Sequence, residues 1–227
     1  MGIKEVNLNL LNEYLFDFVT TDRKQRFLDV VKHRTRYLTV VIENLYQSHN
    51  TSAVLRTCDC FGIQDVHIIE NKNKYTINDE IALGSSNWLN IQHYNQSDNN
   101  TRQCLETLKR NGYTVVATSP HKNDCFLEDL KTDKKIALVF GTEKDGLSET
   151  AIACADEFVK IPMNGFTESF NISVSAGIFL HYLTNKIRNS KIDWQLTYNE
   201  REEILFEWLK TSIKSSEALI EDFYHKQ

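Results

Sequence analysis

Between residues 37 and 187, six runs rich in β-forming residues alternate with segments whose apolar positions recur every three or four residues. Strands joined by helix-length crossovers pair in parallel, so the alternation predicts an α/β domain with a mostly parallel sheet flanked by helices. The runs are residues 37–42, 65–69, 88–94, 113–118, 136–140 and 158–161. The first is dense enough to be a fully buried strand, with Glu43 and Asn44 as its end. Ser48 or Asn50 then suits the N-cap of a helix packed through Ala53, Val54, Leu55, Cys58 and Phe61 and stopped by Gly62. Residues 70–87 read as a polar, irregular loop, 101–110 as a helix, and 126–130 as one helical turn. Ser119 and Pro120 stop the fourth strand, and a further helix falls around 148–155.

The stretch 161–177, IPMNGFTESFNISVSAG, joins the last strand to the last helix of this pattern. Pro162 denies the sheet a donor and ends the strand. A polar loop with Gly165, Thr167, Glu168, Ser169 and Asn171 follows. From Ile172 onward, Ile172, Ala176, Phe179, Leu183 and Ile187 form one apolar stripe, and Val174, Ile178 and Tyr182 form a second. A helix apolar on two sides buries both, one on the sheet and the other against a further partner such as a second subunit. Ser and Asn beside free helical N–H groups suit a polar ligand. An ordinary capped strand-to-helix connection fits the loop equally well.

The flanks read differently. Residues 1–34 are expected to be helical, with Leu11, Tyr14, Leu15 and Phe18 on one face and Phe27, Leu28, Val30 and Val31 on another. Arg23, Lys24, Arg26, Lys32, Arg34 and Arg36 face a single acid, Asp29, on a chain whose net charge is −5. Such a local patch suits a polyanion even where the whole chain is acidic, although a solvated helix face fits it too. Near the other end, Thr197 and Glu200 fit a capping box, followed by apolar stripes of Ile204, Leu205, Trp208 and Leu209 and of Leu219 and Phe223. The division expected is a basic helical extension over 1–34, the α/β domain over 35–188 and a helical extension over 189–227. The five cysteines are scattered, as befits reduced thiols in a cytoplasmic protein, and no histidine spacing suits a metal. No apolar run approaches about 18 residues, and the first residues lack the features of a secretory signal, so no membrane association is expected.

Familiar nucleotide and nucleophile motifs are missing. No G-x-G-x-x-G follows the first strand, the 141–146 segment GTEKDG lacks the P-loop ending, and no G-x-S-x-G elbow occurs. Ligands of parallel sheets bind at the carboxyl ends of the strands, where three polar loops fall, at 118–124, 141–147 and 162–171. The glycines flanking Glu143 suggest backbone brought close to a ligand.

Three segments occur in order at domain-scale spacing: Asn50, Arg56, Phe61 and Gly62; then Phe140-Gly141-Thr142-Glu143 with Gly146 and Leu147; then Ile161-Pro162-Met163 with Ser169-Phe170-Asn171-Ile172-Ser173. Together they resemble the three motifs of the SPOUT-class RNA ribose 2′-O-methyltransferases, over about residues 35–187. The basic N-terminal helices and short C-terminal helices resemble the TrmH-type branch, the tRNA guanosine-2′-O-methyltransferases that modify position 18 of the D-loop. The resemblance implies a SPOUT fold with a C-terminal deep trefoil knot, a feature periodicity never suggests. It implies S-adenosylmethionine as methyl donor, tRNA as partner, and a homodimer formed through the C-terminal part of the SPOUT domain. By motif position, Asn50, Arg56, Glu143, Ser169 and Asn171 correspond to catalytic residues. Thr118, Gly141, Ile161, Met163 and Phe170 correspond to the cofactor site, and Phe170 stands where the family commonly has leucine. Arg23, Lys24, Arg26, Arg34 and Arg36 are the expected RNA contacts.

The implied chemistry is an in-line methyl transfer from a sulfonium to a ribose oxygen, in which positioning dominates. A guanidinium stays protonated at neutral pH, so Arg56 is expected to hold a phosphate and stabilise the forming alkoxide rather than take the proton. Methylation of ribosomal RNA and a non-catalytic RNA-binding role are the alternative readings.

Overall fold

The structure is a computed structural model and describes residues 8–45, 48–72, 79–97, 99–119 and 125–226. Pro120, the rest of the 120–124 loop, Gln47 and residues 73–78 of the 70–87 loop lie outside the described residues. The chain divides into two compact units, one of residues 1–34 with 195–227 and one of residues 35–194.

The first unit is helical. Helices α1 (Leu8–Phe16) and α2 (Thr21–Val31) combine with the late helices α8 (Tyr198–Ser212) and α9 (Ser216–His225). Leu11, Leu15, Phe27 and Val31 are buried, together with Ile204, Leu205, Trp208 and Leu209 of α8. The expected stripes therefore pack, except that Phe18 stays exposed. The capping box on α8 forms in full: the Glu200 backbone N–H donates to Thr197 Oγ1, and the Thr197 N–H donates to Glu200 Oε2 at 2.8 Å.

The second unit holds a seven-stranded sheet. Its strands are β1 (Leu38–Glu43), β2 (Asp65–Ile69), β3 (Asn90–Tyr94), β4 (Tyr113–Thr118), β5 (Cys125–Phe126), β6 (Lys135–Phe140) and β7 (Glu157–Lys160), in the order β3-β2-β1-β6-β4-β7-β5 with every pairing parallel. The helices are α3 (Ser48–Phe61), the short α4 (Asp79–Ala82), α5 (Asn100–Arg110), α6 (Glu149–Cys154) and α7 (Ile172–Arg188), with a 3-10 turn at Ser85–Trp88. The two-residue period of β1 sorts the layers. Leu38, Val40 and Ile42 join a core with Val54, Leu55 and Cys58 of α3 and Ala176, Phe179 and Leu183 of α7. Val41 faces the other way, into a core with Cys104, Leu105 and Leu108 of α5 and Ala151 of α6. The first stripe of α7 is thus buried on the sheet, while Val174 on the second is 48% exposed.

Three sequence expectations need correction. Residues 125 and 126 form a strand on β7, followed by a turn at 127–129 rather than a helical turn; two residues are too few to show a period. Trp88 belongs to the 3-10 turn, so β3 begins at Asn90. Helix α3 already includes Ser48, which puts Asn50 inside its first turn instead of at its cap. Glu43 is the last residue of β1, as expected from the sequence, and its side chain is buried.

Candidate active site

Strand order reverses at β6, since β2 and β3 follow β1 on one side while β4 and β7 lie on the other. In parallel sheets the crevice for a ligand opens past the carboxyl ends of the strands at such a reversal. Here a cavity of ≈ 430 Å³ opens there, within the size range of small-molecule sites. Its lining includes Thr118 and Ser119 after β4, Phe140 to Leu147 after β6, and Ile161, Met163, Ser169 and Phe170 after β7. All five residues expected at the cofactor, Thr118, Gly141, Ile161, Met163 and Phe170, meet in this one cavity, and so do Glu143 and Ser169.

The 141–147 loop owes its shape to glycine. It folds back on itself, the Thr142 N–H donating to Gly146 O at 2.9 Å and the Gly146 N–H returning to Thr142 O at 3.0 Å. A Cβ on Gly141 would lie 2.3 Å from Gly146 O and 2.5 Å from Leu147 N, closer than any real side chain sits. Gly146 takes φ +68°, a left-handed conformation that glycine adopts without cost. The close approach inferred from sequence is therefore the loop's approach to itself. Thr118 is likewise committed within the protein, since its Oγ1 donates to Val139 O at 2.9 Å.

At the cavity rim the motif residues converge. Asn171 caps α7, its Oδ1 accepting from the Ser173 N–H at 2.9 Å. Its Nδ2 donates to Glu143 Oε1 and, at 3.2 Å, to Asn50 Oδ1. Glu143 Oε1 also accepts from the Ile172 N–H at 3.4 Å, placing a carboxylate at the positive end of a 17-residue helix. The loop after β6, the start of α7 and the first turn of α3 are thereby pinned together. Arg56 lies six positions beyond Asn50 on α3, on a face rotated about 120° from it. It is exposed and makes no hydrogen bond or ion pair among the described residues. Ser169 and Phe170 are also exposed, on the loop that closes the cavity.

The expected RNA contacts divide. Arg23, Lys24 and Arg26 project from α2 into solvent, Lys24 lying 5.0 Å from the Phe16 ring. Arg34 is only 1% exposed, its guanidinium 5.3 Å from the Trp208 ring, so it presents no charge to a phosphate backbone and its assignment as an RNA contact is corrected. Arg36 is paired with Asp65 at 3.2 Å and is mostly buried, so its charge is already spent. Sequence alone did not mark either burial. It also missed Glu43, whose carboxylate accepts from Ser148 N, Ser148 Oγ and Thr101 Oγ1.

The residues present fit S-adenosylmethionine. Ile161, Met163, Phe170 and Phe179 supply apolar lining suited to a purine, and Ser119, Glu143, Glu168 and Ser169 supply polar lining for the donor's charged end. Among the described residues no group of His, Cys, Asp and Glu suits a metal.

The fold is that of the SpoU and TrmH methyltransferases of known structure. The chain belongs to the SpoU rRNA Methylase family, whose pattern matches residues 37–181. It is 41% identical over 201 residues, 88% of this chain and 90% of the relative, to the tRNA (guanosine(18)-2′-O)-methyltransferase of Borreliella burgdorferi. Its structure matches the Aquifex aeolicus TrmH/SpoU tRNA modifying enzyme with a TM-score of 0.76 at 29% identity, covering 85% of this chain and 97% of that one. It shares its fold with the SpoU methyltransferase AviRb of Streptomyces viridochromogenes, solved in complex with AdoMet, with a TM-score of 0.57 at 21% identity over 72% of this chain and 63% of that one.

Proposed function

We propose that this protein transfers the methyl group of S-adenosylmethionine to the ribose 2′-hydroxyl of a guanosine in tRNA, at position 18 of the D-loop. The observation that carries the reading is the Glu143–Asn171–Asn50 cluster at the rim of a glycine-shaped cavity, in a chain 41% identical to a relative named for that reaction. The bound donor supplies an electrophilic methyl on a sulfonium. The protein's own task is placement. Glu143 and Asn171 fix the 141–147 loop against α7, so the cavity is formed before the donor arrives. Glu143 Oε2 has no hydrogen bond among the described residues and can accept one from a ribose hydroxyl. Arg56, exposed and always charged, is suited to hold the neighbouring phosphate and stabilise the forming alkoxide.

Further parts of the reading rest on surface chemistry. Arg23, Lys24 and Arg26 on α2 supply an exposed cationic patch for the tRNA backbone, so binding should weaken as salt rises. The second stripe of α7, exposed at Val174 and partly buried at Ile178 and Tyr182, suits a homodimer contact. None of the described helices is long and apolar enough to cross a membrane, and we place the enzyme in the cytoplasm with its RNA substrate. The C-terminal trefoil knot implied by the resemblance belongs to the same reading.

The test uses labelled S-adenosylmethionine, an unmodified tRNA transcript and mapping of the methylated nucleotide. A ribose methyl at guanosine 18, reduced at least about a hundredfold in Arg56→Ala, is expected. Arg56→Lys keeps the charge but loses the bidentate fork and should recover little of the rate. Methylation of ribosomal RNA alone would move the substrate and keep the fold.

A further inference from the structure

We propose that Glu43 is a positioning residue for the methyl-donor cavity, an inference that rests on the methyltransferase reading above. Glu43 ends β1 on the face turned toward α5 and α6, where it is 1% exposed. A carboxylate removed from water needs donors in exchange. It has three. Its Oε2 accepts from the Ser148 N–H at 2.9 Å, and its Oε1 accepts from Ser148 Oγ at 2.7 Å and from Thr101 Oγ1 at 2.6 Å. Ser148 is the residue on which the 141–147 loop ends. It also caps α6, its Oγ accepting from the Ala151 N–H at 3.1 Å. One carboxylate thus fixes both the backbone and the side chain of the residue that anchors the cavity loop.

The same carboxylate reaches the other motif. Thr101 Oγ1 accepts from Asn71 Nδ2 at 2.7 Å, and the backbone N–H groups of Asn71 and Lys72 donate to Asn44 Oδ1 at 2.8 and 3.0 Å. Asn44 adopts φ +53°, an uncommon conformation for a residue other than glycine, at the point where the chain leaves β1 for α3 and Asn50. Among the described residues Glu43 is not part of the cavity lining and makes no hydrogen bond to the Asn50–Asn171–Glu143 cluster, yet it braces the supports of both.

An amide replaces this carboxylate only in part. A glutamine whose oxygen serves the Ser148 N–H turns its NH2 toward Ser148 Oγ and Thr101 Oγ1, which can each accept a second bond, but the two hydroxyl protons then lose the acceptor they share. Glu43→Gln should therefore loosen the loop while leaving the reacting groups in place. Calorimetric titration with S-adenosylmethionine should show a Kd raised about tenfold, as expected for one lost hydrogen bond to a charged group. The donor KM should rise in parallel, with kcat at saturating donor and tRNA within about twofold of the wild type. An unchanged donor Kd, or a lower kcat at unchanged KM, overturns the proposal, because a purely structural brace would reduce the amount of active protein and not its affinity. If Glu43→Gln does not fold, Ser148→Ala keeps the backbone bond and removes the bridging hydroxyl. It should also raise the donor Kd, and an unchanged Kd there overturns the proposal. Wild-type protein that binds no donor would instead contradict the methyltransferase reading itself.

Discussion

Residue by residue, the structure shows which polar side chains spend their bonding capacity inside the protein and which keep it. His67 is the clearest inward case. It sits in β2 with Nδ1 3.3 Å from the Tyr94 hydroxyl, and burial pushes its pKa down to about 4, against the opposing influence of Asp65 and Gln92. The unfolded chain binds a proton near pH 6.5 and the folded chain only near 4, so stability is full above that window and falls as pH drops through it. The loss is up to about 3 kcal/mol. Denaturant midpoints measured from pH 7 to pH 4.5 should fall more steeply for the wild type than for His67→Gln; equal slopes would mean that His67 is not buried neutral. Gly141 is the second case. Gly141→Ala must force the 141–147 loop open, and donor affinity should drop by about tenfold or more while the far-UV spectrum is retained. Undiminished donor binding would show that the loop does not shape the cavity.

At the scale of elements, legibility followed length. Strands β1, β2, β4 and β6 stood out because each is a run of five or six residues dense in β-formers, and α7 because its apolar stripe runs from Ile172 to Ile187. Strand β5 did not, since it exists only by pairing with β7 and no local signal encodes it. The site followed the same rule. Residues contributed by motif loops, such as Gly141, Met163 and Phe170, could be placed from their order along the chain. The burial of Arg34 against Trp208 and of Glu43 against Ser148 depends on residues more than 100 positions away, so no local pattern carries it. Helix α7 shows both sides of this. Its first stripe packs on the sheet as periodicity requires, and its second remains open at Val174. Val174→Glu should leave the thermal midpoint nearly unchanged and shift sedimentation from a two-chain to a one-chain mass if that stripe is the dimer contact. A dimer that persists would place the contact elsewhere.

At the scale of the whole chain, the parallel sheet gathers three loops that follow different strands, around Thr118, Gly141 and Ile161, and makes one cavity from them. The net charge of −5 is no obstacle to an RNA substrate, because Arg23, Lys24 and Arg26 stand exposed together on α2, while Arg34 and Arg36 serve the fold. The central claim is that the cavity past β4, β6 and β7 is where the methyl donor binds. A crystal structure of the protein with S-adenosylhomocysteine tests it most directly. The ligand is expected among Gly141, Ile161, Met163 and Phe170, beside Glu143. Ligand bound elsewhere, with that cavity empty, would contradict it.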